Sequence, residues 1–63
     1  MSPDTAAWLA NLRAEAAAPD SLMIPISGTV RGTPARAVIF PEEFVGKSDV
    51  ELLAHLRARL AEQ

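Results

Sequence analysis

His55 is the only histidine in the chain, and there is no cysteine. The side chains that build metal centres and nucleophile–base pairs are therefore almost missing. A zinc or catalytic site needs a second nitrogen or thiolate donor beside the first. His55 has none, stands one turn after Glu51, and reads as a solvated helix residue. Glu42-Glu43 and Asp49/Glu51 are pairs of acids such as general acid–base chemistry uses. Each pair falls at a helix start, where the positive end of the helix dipole accounts for it. Ser2, Ser21, Ser27 and Ser48 have no histidine that the sequence singles out for a triad. Gly28, Gly32 and Gly46 do not form a phosphate loop. These residues point away from an enzyme and away from any cofactor or small-molecule substrate. What remains is Arg31 and Arg36, the only charges in residues 21–40 of a chain whose net charge is −2. A basic segment between two acidic ones is where an anion or a nucleic acid would be met. The plainer reading is that two arginines keep an exposed hairpin soluble.

The elements that carry these residues read as helix, hairpin, helix, an α+β fold. Ser2-Pro3-Asp4 is a helix start, with a capping hydroxyl, a proline where no N–H is needed and an acid near the dipole. Trp8, Leu9, Leu12 and Ala16 follow at helical spacing, and Pro19-Asp20 ends the run. Ser48-Asp49-Val50-Glu51 is a capping box, after which Val50, Leu52, Leu53, Leu56 and Leu60 form an apolar stripe. Between the helices lie two β-rich runs. A four-residue loop, Arg31 to Pro34, sets Val30 opposite Ala35, Ile26 opposite Ile39, Gly28 opposite Ala37 and Ile24 near Pro41. A two-residue Gly32-Thr33 turn gives the same register but would need an N–H from Pro34. All the paired side chains then share one face, the core face. The Gly28–Ala37 pair leaves a shallow spot there, which Trp8 is expected to fill.

This register makes the two sheet edges unequal. Pro25 blunts the edge of the first strand, whereas the second strand turns the backbone of Arg36, Val38 and Phe40 outward with no proline inside it. A lone two-stranded hairpin is rarely stable. The expectation is a dimer whose sheet is shared between chains through Arg36, Val38 and Phe40 across a two-fold axis. At 63 residues the chain is one domain at most, and such a chain buries only about 60% of its unfolded surface, which also favours association. Leu53, Leu56 and Leu60 exceed what one hairpin and one short helix should cover, so part of that stripe is expected to bind a partner. No apolar run is long enough to span a membrane, and no basic-then-apolar leader opens the chain; the expected compartment is the cytoplasm. The alanine content fits a GC-rich bacterial genome.

From Thr29 to Phe44 the order is Thr29, Arg31-Gly32, Pro34, the apolar Val38-Ile39, then Pro41-Glu42-Glu43-Phe44, with Leu9-Ala10-Asn11-Leu12 upstream. This order resembles the prevent-host-death (Phd/YefM) antitoxins. The resemblance covers roughly residues 5–46. It implies a dimeric module over residues 1–46 that binds operator DNA and represses its own operon, with Arg31 on a phosphate; Arg36, near it in the expected register and not required by the family pattern, is the second expected DNA contact. It also implies that the C-terminal segment, here residues 47–63, binds and neutralises a cognate toxin, for which the apolar stripe offers Leu53, Leu56 and Leu60 as the expected contacts. The rival reading of the same residues is a small adaptor without a DNA role, held to its complex by β-edge pairing and the leucine-striped helix. The acidic net charge favours the rival; the isolated basic hairpin favours the antitoxin.

Overall fold

Helix α1 spans Pro3–Ala17 and starts where the sequence places its cap. The Ser2 hydroxyl accepts the Thr5 N–H at 3.2 Å, and Pro3 occupies the first turn. Ala18 leaves the helix in an extended conformation, as the residue before a proline must. The computed structural model describes residues 1–62, which continue as strand β1 (Ile24–Val30), strand β2 (Thr33–Ile39), a single 3-10 turn (Pro41–Phe44) and helix α2 (Asp49–Ala61). The two strands form one antiparallel sheet, so the α+β reading in helix–hairpin–helix order holds. None of the described helices is long and apolar enough to cross a membrane.

The hairpin turn differs from the expected one. It consists of two residues, Arg31 and Gly32, with φ of 53° and 77°. Positive φ at both central positions is the type I′ geometry, whose twist matches that of paired strands. Val30 therefore lies opposite Thr33, Gly28 opposite Ala35, Ile26 opposite Ala37 and Ile24 opposite Ile39. The four-residue loop with Val30 opposite Ala35 is thus corrected by two residues. The physical reason lies in Pro34. It sits opposite Thr29, in a pair that exchanges no hydrogen bonds when Val30 and Thr33 close the turn. Its missing N–H is harmless there. A slip of two residues keeps every side chain on its original face, whereas a slip of one would invert them all. Ile24, Ile26 and Ile39 are accordingly buried as expected.

Both helices pack on that inner face. Leu9 and Leu12 of α1, the three isoleucines, Phe44, and Leu52, Leu56 and Leu60 of α2 make one core. Gly28 marks its closest approach: a Cβ there would lie 3.0 Å from Leu60 Cδ1. Leu60, not Trp8, fills the shallow spot, because α2 crosses the sheet at that point; Trp8 is half-buried beside the core. The start of α2 is fixed twice. Ser48 and Glu51 form the expected capping box, with bonds of 3.2 and 3.0 Å. Arg13 reaches across from α1, its Nη2 donating to the Lys47 carbonyl at 3.0 Å and to Asp49 Oδ1 at 2.9 Å.

Candidate interaction surface

With both helices on one side, the other face of the hairpin has no cover. Pro25 pairs with Val38 on it, Ser27 with Arg36, and Thr29 with Pro34. Val38 is 39% exposed, Phe40 45% and Met23 58%. The base of the hairpin thus presents apolar side chains. Its tip presents Ser27, Thr29, Arg31 and Arg36, all exposed. Among the described residues neither Arg31 nor Arg36 forms an ion pair or a side-chain hydrogen bond, whereas Arg13 and Arg59 do both. The expected DNA contact and interface residue Arg36 shares the outer face with Val38 and Phe40, and Arg31 stands at the turn.

The edge of β2 is less open than the sequence suggests. Arg59 Nη2 donates to the Val38 carbonyl at 2.8 Å, occupying one of the outward acceptors that a second strand would need. Pro34 lies inside β2, so an outward N–H is missing as well. Each strand then carries one proline on its outer edge, Pro25 and Pro34, a common way of discouraging edge pairing. A sheet continued through the β2 edge loses the argument on which it was expected; the side chains of Val38 and Phe40 remain available from the face.

Expected partner-binding residues of α2 fare differently. Leu56 is fully buried and Leu60 6% exposed within the chain's own core. Their reading as partner contacts is corrected: the hairpin face, with no side chain at Gly28, accommodates them both. Leu53 is half-buried, and Val50, read as part of the stripe, is 72% exposed.

A cluster that sequence reasoning missed joins the 3-10 turn to α2. Glu43 Oε2 accepts the Phe40 N–H at 2.7 Å. Its Oε1 lies 2.8 Å from His55 Nε2 and accepts Arg59 Nε at 3.1 Å. Burial pushes the Glu43 carboxyl up, but the Phe40 N–H, His55 and Arg59 together outweigh it and hold it below the ordinary carboxylate range. Lys47 Nζ donates to the Glu43 backbone carbonyl at 2.6 Å, and Arg59 Nη1 to Glu62 at 2.8 Å. His55 is therefore not simply solvated, and Glu43 does more than complement a dipole. One signal was available in the sequence: His55 and Arg59 are four residues apart and must lie on one side of α2. The cluster's geometry is that of a brace. Both carboxylate oxygens of Glu43 are engaged by groups of its own chain.

No protein-family model, curated protein or solved structure matches this chain.

Proposed function

We propose that this chain is a small non-enzymatic interaction module that associates with a second copy of itself through the outer face of its hairpin. The observation that carries the reading is the one-sided sheet: Met23, Val38 and Phe40 are exposed together at the base of the hairpin. A cluster of large apolar side chains on one face marks a contact surface more often than scattered exposed residues do. A two-fold axis through the base brings the apolar ends together. It also sets the two Arg31 tips at opposite ends, so like charges stay apart. The face of two short strands is smaller than the roughly 800 Å² per partner of a standard interface, so the association is expected to be weak. The test is sedimentation of the wild type against Val38→Glu/Phe40→Ser, two exposed positions whose change leaves the core intact. The wild type should associate at high concentration and the variant should remain monomeric; equal behaviour of the two overturns the reading.

A second reading, the Phd/YefM-like antitoxin, is favoured by one observation: Arg31 and Arg36 stand exposed with no acid on their strands. A dimer that places both arginines of each chain on phosphates would lose affinity with a salt slope of roughly −3 to −4. A mobility shift on the gene's own upstream DNA that lacks this slope, or no shift at low salt, removes that reading. The toxin-binding half of it has weaker support, since of its three leucines only Leu53 lies partly outside the core.

A further inference from the structure

The outer edge of β1 borders a groove of about 270 Å³ between the two helices. Its walls are Trp8 from α1 and Leu53 and Leu60 from α2; Ser27 and Thr29 form its β1 side and Arg57 its rim. Gly28 lies between the two strand residues, and Leu60 occupies the space its missing side chain leaves, so the groove opens beside Leu60 toward Trp8 and Leu53. The register decides what the strand offers here. With Val30 and Thr33 closing the turn, the backbone of Ser27 and Thr29 points away from β2. No bond from outside the hairpin takes those groups among the described residues. Arg57 is the remaining observation. It is exposed and forms no ion pair or hydrogen bond among the described residues, while the neighbouring Arg59 is engaged three ways. Among the described residues no carboxylate lines the groove.

We infer that this groove binds an extended acidic segment of a partner protein by strand addition to β1. Backbone groups of Ser27 and Thr29, on the part of the β1 edge between Pro25 and the turn, pair with the segment by strand addition. An apolar side chain of the segment enters between Trp8 and Leu53, and a neighbouring carboxylate meets Arg57. Pro25 has no N–H and ends the pairing on one side, so backbone bonds alone are few. Affinity then rests on the apolar pocket and on the charge, and an arginine–carboxylate contact is the stronger kind of hydrogen bond. The acidic character of the segment follows from charge complementarity with Arg57. The site is separate from Met23, Val38 and Phe40 and does not depend on self-association through them.

Trp8 is the only tryptophan and reports on the groove directly. The experiment titrates the full chain with two blocked hexapeptides, alternating valine–glutamate and alternating valine–lysine, and follows tryptophan fluorescence and backbone amide shifts. The acidic peptide should give a saturable change at millimolar concentration, with shifts centred on Ser27 to Thr29, and the basic peptide should not. Arg57→Glu should weaken the acidic peptide by about tenfold or more and favour the basic one, while Arg31→Ala/Arg36→Ala leaves both unchanged. Equal binding of the two peptides, indifference to Arg57→Glu, or no saturable change overturns the inference. So does a groove already filled by a second copy, seen as Trp8 shifts on concentration without peptide. The Val38→Glu/Phe40→Ser variant should bind the acidic peptide normally, which separates failure here from failure of the self-association reading.

Discussion

Replacing Glu43 by glutamine removes one charge from the brace between the 3-10 turn and α2 while keeping its shape. The carboxylate accepts from Phe40, His55 and Arg59 at 2.7, 2.8 and 3.1 Å. A glutamine retains one acceptor oxygen and turns an amide donor toward groups that themselves donate. Hydrogen bonds to charged groups are worth about 1.5–3 kcal/mol, but exposed ion pairs contribute less than about 1. The Glu43 side chain is 19% exposed and its partners His55 and Arg59 30% and 29%, so solvent screens much of the interaction. A net loss of about 1 kcal/mol is expected. In a domain of this size that lowers Tm by roughly 4–8 °C. The pH dependence sharpens the test. A carboxyl held below its unfolded value, near about 4.3, contributes stability above that pH and loses it as the pH falls through the folded value. Wild type and Glu43→Gln should therefore differ near neutral pH and converge in acid. Thermal unfolding followed by circular dichroism across that range measures both. A gap that stays constant into acid, or no gap at neutral pH, refutes the account of Glu43 as an ionised brace.

Leu56→Ala should destabilise the fold by about 2–5 kcal/mol, enough to unfold much of a small domain; chemical denaturation that finds it close to wild type would return Leu56 to the surface. Arg31→Asn should stabilise by up to about 1 kcal/mol, because asparagine adopts the left-handed turn conformation more readily than arginine; a lower denaturation midpoint would speak against the type I′ turn. Gly28→Ala should destabilise by about 1 kcal/mol or more by pressing on Leu60, and Leu60→Val in the same chain should recover part of that loss.

Much of the fold was legible because its signals are local. The Ser2 and Ser48 caps, the proline after α1 and the alternation of Ile24, Ile26 and Ile39 each depend on a few neighbouring residues. The turn was not legible in the same way. Arginine carries no preference for positive φ, so Arg31-Gly32 gave no hint that it, and not a longer loop through Pro34, closes the hairpin. Leu56 and Leu60 were misjudged for a related reason. How much apolar surface the hairpin covers depends on where Gly28 lies beneath α2, and that is a tertiary fact. The same holds for the β2 edge: the guanidinium that occupies the Val38 carbonyl comes from Arg59, 21 positions away. Among the expected surface residues, Arg31, Arg36, Val38 and Phe40 are all exposed, since outward positions follow from the strand alternation alone.

Backbone amide shifts recorded over a dilution series test the central claim most directly. Self-association through the outer face predicts concentration-dependent shifts at Met23, Ser27, Arg36, Val38 and Phe40, with Leu52, Leu56 and Leu60 unmoved. Shifts that are absent at every concentration, or that appear along α2 instead, would contradict it.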